Sequence, residues 1–150
     1  MTRILFVCTG NICRSPTAEG VARAMAAEKG VTGRFEFDSA GIEGYHAGEK
    51  PDRRARERAI ARGYDLSSLR ARRISAADFA EFDLILAMDR VHFDELDRRC
   101  PAPHKHKLKL FLSYSTAFES LDVPDPYYGD EADFDLVLDM CEEVMPKLIG

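Results

Sequence analysis

The chain begins with a short apolar run that ends in a polar loop and is followed at once by a helix start. Residues 3–8 have the length and composition of a buried strand, because the apolar run leaves no polar face. After Cys8 and the loop, Ser15 is suited to be the N-cap of a helix and Pro16 its first residue. A buried strand that leads into a helix is the first unit expected of a parallel α/β fold.

The same alternation of strand-like and helix-like segments continues along the chain. Three more strands are predicted, at residues 34–39, 83–88 and 108–112. Helices are predicted at 15–29, 51–62 and 131–149, with shorter ones capped by Ser75 and Asp89. We therefore expect residues 1–150 to form a single α/β domain, with a mainly parallel four-stranded sheet and helices on both faces. Ligands of such folds bind beyond the carboxyl ends of the strands, which directs attention to Cys8.

The charge and composition of the chain restrict its partners. A formal net charge of -5 argues against nucleic acid or an anionic membrane as a partner. No segment approaches the roughly 20 apolar residues that span a bilayer. The protein is therefore expected to be cytoplasmic, with its four cysteines reduced. Arginines concentrate in residues 51–73 and acids in 119–150, which predicts two solvated faces or, alternatively, one face that selects a charged protein.

The loop after the first strand is the strongest candidate for chemistry. Backbone N–H groups of such a loop, together with the positive end of a helix dipole, form an anion site. Gly10 and Asn11 are the residues best able to adopt positive φ there. The predicted phosphate-binding residues are those that follow Cys8, namely Thr9, Gly10, Asn11, Ile12, Cys13, Arg14 and Ser15.

Cys8 and Arg14, with five residues between them, have complementary chemistry in such a loop. The planar guanidinium of Arg14 can bind two phosphoryl oxygens at once. The same positive field favours the thiolate of Cys8, which is a strong nucleophile. The Ser15 hydroxyl can form a hydrogen bond with that sulfur and help it leave. The alternative is a buried structural cysteine, with Arg14 on the surface and Ser15 acting only as a cap.

A general acid for the leaving oxygen is expected on a second loop. Asp125 lies between two prolines, beyond the fourth predicted strand and so at the same end of the sheet as Cys8. Tyr127 and Tyr128 follow it and offer a flat apolar wall for an aryl group. Taken alone, this segment also fits an ordinary turn.

Two segments resemble the signatures of the low-molecular-weight protein tyrosine phosphatases: residues 4–16 (ILFVCTGNICRSP) and 125–129 (DPYYG). Residues 39–41 (SAG) and 88–89 (MD) match weaker family segments, so the resemblance covers nearly the whole chain. It implies hydrolysis of phosphotyrosine in proteins, and of small aryl phosphates, through a phosphocysteine. It also implies that no metal and no other cofactor takes part. A monomer or weak dimer is expected.

The resemblance also implies roles for individual residues. Cys8 is then the nucleophile, Arg14 binds the phosphate, and Asp125 acts first as acid and then as base. Tyr45 falls where the family keeps an aromatic residue at the edge of the substrate cleft. Cys13 is either a buried small side chain or, as the family suggests, a resolving thiol that forms a reversible disulfide with oxidised Cys8.

One departure concerns the hydrogen bonds that support the loop. The family implies that Asn11, Ser39 and Ser15 hold the loop in shape. Many members carry His where this chain has Leu69. We therefore expect a shorter network and a less certain role for Ser39.

Three other functions fit parts of this sequence less well. Arsenate reductases share the loop but use further cysteines, and residues 75–95 contain none. Protein-arginine phosphatases tend to have Thr where this chain has Ile12, whose lack of a hydroxyl favours phosphotyrosine. A catalytically silent phosphate-binding domain would not need Cys8, Arg14 and Asp125 together.

His46 and His92 are predicted to lie on the surface and Cys141 in the core. Cys100, His104 and His106 lack the second cysteine pair of a typical zinc site.

Overall fold

The computed structural model describes residues 1–150 and is organised around one parallel sheet. Its strands are β1 (Thr2–Cys8), β2 (Phe35–Gly41), β3 (Leu84–Ala87) and β4 (Leu108–Leu110). All neighbouring strands pair in parallel, in the order β2-β1-β3-β4. This confirms the four-stranded parallel sheet, with β1 as a central strand that ends at Cys8.

Five α-helices connect and cover the strands. They are α1 (Arg14–Glu28), α2 (Arg53–Ala61), α3 (Ala76–Glu81), α4 (Arg90–Arg99) and α5 (Glu131–Ile149). Short 3-10 turns lie at Thr32–Arg34, Ala102–Lys107 and Phe111–Tyr114, so the last two residues of the predicted fourth strand belong to a turn. None of the helices combines the length and the apolar character that a membrane crossing requires.

Side-chain alternation along β1 divides the core into two layers. Ile4 and Phe6 pack against α1 and α5, whereas Leu5 and Val7 pack on the opposite face against α3 and α4. Phe6 is fully buried. Burying such a side chain stabilises the fold by roughly 1.5–3 kcal/mol. Packing on both faces fixes the position and direction of β1, and therefore the position of Cys8 at its carboxyl end.

The start of α1 differs from the prediction. The helix begins at Arg14, with Cys13 as a cap that makes no side-chain bond. Ser15 is not the cap, because its hydroxyl is occupied inside the loop, where it contacts both Cys8 and Asn11. Pro16 is consequently the third helical residue, still within the first turn, where a missing N–H costs little. The shift moves the N-terminus of α1 two residues closer to Cys8.

The predicted caps of α3 and α4 are confirmed. Ser75 and Asp78 form a capping box at the start of α3. Asp89 caps α4 by accepting the backbone N–H of His92 at 2.8 Å. Asp89 is thereby held rigidly at the end of β3, close to the end of β1.

The two charged segments of the sequence pack against each other. Arg58 Nε on α2 lies 2.9 Å from Asp135 on α5, and Arg62 lies 2.9 Å from Asp139 on the same helix. The two predicted solvated faces therefore meet along α2 and α5, where these side chains remain partly exposed. Exposed ion pairs contribute roughly 0.2–1 kcal/mol each, so they align the helices more than they stabilise them.

Candidate active site

A cavity of about 160 Å³ opens at the carboxyl end of β1. It brings Asp125, which is distant in the sequence, together with Cys8 and Arg14. The remaining lining residues are Thr9, Gly10, Ile12, Cys13, Tyr45, His46, Tyr127 and Tyr128. Of the predicted phosphate-binding residues, only Asn11 and Ser15 do not line it. Both have buried side chains behind the loop.

The Cys8 sulfur is held by a buried hydrogen bond. It lies 3.0 Å from the Ser15 hydroxyl oxygen. That oxygen accepts an N–H of the Asn11 amide at 2.8 Å, so its own hydrogen is free to point at the sulfur. A hydroxyl donor stabilises a thiolate over a thiol, both before attack on phosphorus and when the sulfur leaves.

Asn11 gives the loop its shape from behind. It is the one non-glycine residue of the chain with positive φ, at 59°. Its amide nitrogen donates also to the Ser39 hydroxyl at 2.9 Å, and its amide oxygen accepts the backbone N–H of Arg72 at 3.0 Å. All the polar atoms of this buried amide are therefore satisfied, which fixes the left-handed turn.

The supporting network continues beyond Ser39 to a carboxylate. Ser39 donates to the Glu19 carboxylate at 2.7 Å, and Arg23 donates to the other oxygen of that carboxylate at 2.8 Å. Burial raises the pKa of Glu19. Ser39 is hydrogen-bonded both to Asn11 and to Glu19, so it takes part in the network. Leu69 packs against the core, and the network continues through Glu19 instead.

Two glycines are needed for close contacts rather than for positive φ. The predicted positive φ of Gly10 is not observed. A Cβ at Gly10 would lie 2.9 Å from the His46 ring, so a side chain there would displace that ring. A Cβ at Gly41 would lie 2.9 Å from the backbone carbonyl of Thr9, which cannot move away. The end of β2 therefore packs directly on the loop.

Backbone donors of the loop are available to an anion. The N–H groups of residues 9–13 donate to no backbone carbonyl. They lie immediately before the N-terminus of α1, where the helix dipole adds positive potential. The loop therefore has the donors and the field of an oxyanion site.

The Arg14 guanidinium is held mainly through Nη1. It is 4% exposed, and its Nη1 donates to Asp89 Oδ2 at 2.9 Å and to the Val123 carbonyl at 3.0 Å. Its Nη2 lies 3.4 Å from the Thr9 hydroxyl, and its Nε makes no hydrogen bond within the protein. The edge formed by Nε and Nη2 can therefore receive two oxygens of a phosphoryl group.

Asp125 stands at the mouth of the cavity. Its side chain is 46% exposed, one oxygen accepts the Tyr127 N–H at 3.1 Å, and the other lies 3.7 Å from Arg14 Nη2. Arg54 on α2 donates to the Tyr127 carbonyl at 2.8 Å and stacks over the Tyr127 ring. Sequence reasoning missed Arg54, because nothing distinguishes it within an arginine-rich segment.

His92 was predicted on the surface, and that prediction is wrong. Its side chain is only 4% exposed, and its Nε2 lies 2.7 Å from the Thr9 hydroxyl oxygen. Burial, and then the neighbouring Arg14 cation, lower the pKa of His92 to about 4, so it is neutral near pH 7. The available signal was its position three residues after the cap Asp89, in the first turn of a helix that follows a parallel strand. His46 is half-buried and lines the cavity.

The four cysteines are free thiols in different surroundings. Cys13 is buried at the cavity wall, and burial raises the pKa of its thiol well above the usual range. Cys141 is fully buried, which confirms its predicted place in the core. Because Cys13 is held as a thiol, Cys8 is the cysteine of this loop that is placed to act as nucleophile.

Comparison with known proteins points to one family. A family model described as "Low molecular weight phosphotyrosine protein phosphatase" matches residues 3–150. A putative low molecular weight protein-tyrosine-phosphatase of Synechocystis is 44% identical over 148 residues, which is 98% of this chain and 94% of that protein. The human low molecular weight phosphotyrosine protein phosphatase is 39% identical, over 92% of this chain and 87% of the human one. The crystal structure of an Entamoeba histolytica protein tyrosine phosphatase with Hepes in the active site has a TM-score of 0.96 and 40% identity, over 99% of this chain and 95% of that one.

Proposed function

Since this chain belongs to the low-molecular-weight phosphotyrosine protein phosphatase family, we propose that it hydrolyses phosphotyrosine in proteins through a phosphocysteine formed on Cys8. The observation that carries this proposal is the meeting of three groups in one cavity. These are the Cys8 sulfur beside a hydroxyl donor, the free edge of Arg14, and the carboxyl group of Asp125. No metal enters the proposed reaction, because Arg14 and the loop N–H groups provide the positive charge and donors that the phosphoryl oxygens need.

In the first step the Cys8 thiolate attacks phosphorus. The phosphorus–oxygen bond to tyrosine breaks as the phosphorus–sulfur bond forms, and Asp125 gives its proton to the departing phenolate oxygen. Arg14 binds two of the non-bridging oxygens through Nε and Nη2. The backbone N–H groups of residues 9–13 are placed to receive the remaining charge.

In the second step water replaces the cysteine. The Asp125 carboxylate, now without its proton, takes a proton from water, whose oxygen attacks phosphorus. The phosphorus–sulfur bond breaks, and the electron pair returns to Cys8 as a thiolate. The Ser15 hydroxyl, 3.0 Å from that sulfur, stabilises the leaving thiolate. Inorganic phosphate is released and the site is restored.

The mouth of the cavity favours an aromatic substrate. Tyr45 and Tyr128 are exposed and Tyr127 is partly exposed, although all three line the opening. Exposed aromatic side chains at a cavity are suited to stack on the ring of a phosphotyrosine. Cys8 is buried at the bottom, so an extended side chain such as phosphotyrosine reaches it more readily than phosphoserine does.

A substrate comparison tests the proposed function. We expect a phosphotyrosine peptide to be hydrolysed with a kcat/KM more than about 10²-fold above that of matched phosphoserine and phosphoarginine peptides. The assay is run with a chelator, and steady-state rates are measured on all three peptides. Preference for phosphoarginine would assign the chain to protein-arginine phosphatases, and reduction of arsenate with no hydrolysis would assign it to arsenate reductases.

The proposed reaction also suits a reducing compartment. Only the reduced form of Cys8 can attack phosphorus, and cytosolic glutathione and thioredoxin keep thiols reduced. We therefore place the protein in the cytoplasm, with phosphotyrosine proteins as its partners.

Cys13 is proposed to protect Cys8 from irreversible oxidation. Peroxide converts the Cys8 thiolate to a sulfenic acid, and the Cys13 sulfur then displaces hydroxide to form a disulfide, with water as the product. Because burial holds Cys13 protonated, disulfide formation should accelerate as the pH rises.

Replacing Cys13 tests this role directly. We expect wild-type enzyme treated with mild peroxide to recover most of its activity with a dithiol, and peptide mapping to find a Cys8–Cys13 disulfide. In Cys13→Ser the recovered fraction should fall several-fold, because sulfenic acid proceeds to sulfinic acid. Cys100→Ser is the control, since Cys100 is buried away from the cavity. Equal recovery by the two variants contradicts the proposal.

A further inference from the structure

Four side chains form a closed ring around one end of the Arg14 guanidinium. Arg14 Nη2 lies 3.4 Å from the Thr9 hydroxyl, and Thr9 lies 2.7 Å from His92 Nε2. His92 Nδ1 lies 3.1 Å from Asp89 Oδ1, and Asp89 Oδ2 accepts Arg14 Nη1 at 2.9 Å to complete the ring. The His92 and Arg14 side chains are each 4% exposed, so this ring is largely closed to water.

The surroundings of His92 select one tautomer. Its Nε2 lies 3.5 Å from Arg14 Nη2, which carries only donors, so a hydrogen on Nε2 would face a cation. Nδ1 instead faces a carboxylate oxygen, although its alignment falls short of a hydrogen bond and it has no other partner. The hydrogen therefore belongs on Nδ1, and Nε2 accepts the hydrogen of the Thr9 hydroxyl.

This direction of hydrogen bonding matters for Arg14. When the Thr9 hydroxyl donates to His92, the lone pairs of its oxygen are available to the Nη2 hydrogens of Arg14. If His92 did not accept that hydrogen, the hydroxyl would be free to rotate and point it at the guanidinium. His92 thus decides whether Thr9 attracts or repels the edge of Arg14 that would bind phosphate.

We propose that His92 is a positioning residue, which accepts the Thr9 hydroxyl at Nε2 and thereby holds the Nη2 edge of Arg14 toward the phosphoryl group. This role rests on the proposed phosphatase function. The competing partner of Nη2 is Asp125, whose Oδ2 lies only 3.7 Å away. Without His92, Arg14 turns toward that carboxylate, and an ion pair then competes both with phosphate binding and with proton transfer by Asp125.

Two substitutions separate this role from a merely structural one. His92→Leu keeps an apolar side chain in the buried space but removes the acceptor. We expect it to lower kcat/KM for a phosphotyrosine peptide by roughly 10–100-fold and to weaken inhibition by inorganic phosphate by a similar factor, since a buried hydroxyl loses its partner. His92→Gln, whose amide oxygen reaches the position of Nε2, should restore both to within about threefold of wild type. His106→Leu makes the same change on an exposed residue and should change neither.

Thermal unfolding of each variant shows whether folding, rather than positioning, is lost. If His92→Gln is as impaired as His92→Leu while both remain folded at the assay temperature, an acceptor at Nε2 is not what matters and the proposal is overturned. If His92→Leu does not fold, the proposal is tested by two other comparisons. These are His92→Gln with wild type and Thr9→Val with wild type.

Thr9→Val tests whether His92 acts through Thr9. Valine keeps the shape of Thr9 but removes its hydroxyl, so phosphate affinity should fall as far as in His92→Leu. Combining the two changes should then cost no more than either alone, because they interrupt the same chain. Multiplicative losses would overturn the proposal. Calorimetric titration with inorganic phosphate requires no turnover, so it tests His92 even if the wild-type chain fails to cleave phosphotyrosine.

Discussion

Cys8→Ser removes hydrolysis of phosphotyrosine and of nitrophenyl phosphate, by at least about 10⁴-fold, while the protein still folds and binds inorganic phosphate. A serine hydroxyl is close to a thiol in size but remains protonated and weakly nucleophilic near pH 7. In an enzyme that acts through a covalent intermediate, the other catalytic groups depend on the nucleophile. Removing the nucleophile alone therefore costs nearly the whole catalytic effect of the group. Arg14 and the N–H groups of the loop are unchanged, so the affinity for phosphate persists.

Covalent trapping identifies the residue that carries the phosphoryl group. Wild-type enzyme quenched in acid during turnover should show one added phosphate on the peptide that contains Cys8, and the variant should show none. Cys100→Ser is the matched control, since it makes the same exchange at a buried cysteine outside the cavity. Near-normal activity of Cys8→Ser, or phosphate on another residue, would remove Cys8 from its assigned role.

Asp125→Ala slows cleavage of phosphotyrosine by roughly 10²–10⁴-fold, the range expected of a positioned general acid. The loss depends on the leaving group. The phenolate of tyrosine is a strong base and needs a proton as it departs, whereas a nitrophenolate is far more stable as an anion. Formation of phosphocysteine from nitrophenyl phosphate should therefore suffer much less.

The first step has to be observed by itself. Asp125 is proposed to serve both steps, and a steady-state rate mixes them, so the measurement is the single-turnover burst of released phenol. Asp125→Asn is the informative companion, because an amide oxygen can still accept the Tyr127 N–H that Asp125 accepts at 3.1 Å. We expect asparagine to be as slow as alanine. Recovery with asparagine, or equal burst losses for both leaving groups, would mean that Asp125 shapes the loop instead of donating a proton.

The parts of this site that depend on local pattern were predictable from sequence. A buried run followed by a polar loop and a helix start identifies a strand, its carboxyl end and an anion site, and it does so through residues close in the chain. Asp125 could be placed near Cys8 because parallel strands bring their carboxyl ends to one edge of a sheet. The cap formed by Asp89 was also local, since it spans three residues.

Roles that depend on packing between distant segments were not predictable. The contact of His92 with Thr9 was missed, because burial against Thr9 follows from how α4 lies on the sheet. The hydrogen bond from Arg54 to the Tyr127 carbonyl joins residues that are 73 positions apart. Charge runs suggested exposed faces because sequence alone does not show that α2 and α5 meet. In each case the residue makes its contact with a partner that is distant in the chain, and a local sequence pattern does not indicate such a contact.

The close packing of Gly41 on the loop has a thermodynamic consequence for binding. A Cβ at Gly41 would lie 2.9 Å from the carbonyl of Thr9, and the next two residues, Ile42 and Glu43, donate their N–H groups to the carbonyls of Cys8 and Thr9 at 2.9 Å. The loop backbone is therefore immobilised as part of folding, when hydrophobic burial offsets the loss of conformational entropy. A phosphate that arrives later meets donors already in place, so little of its binding free energy is consumed in ordering the chain.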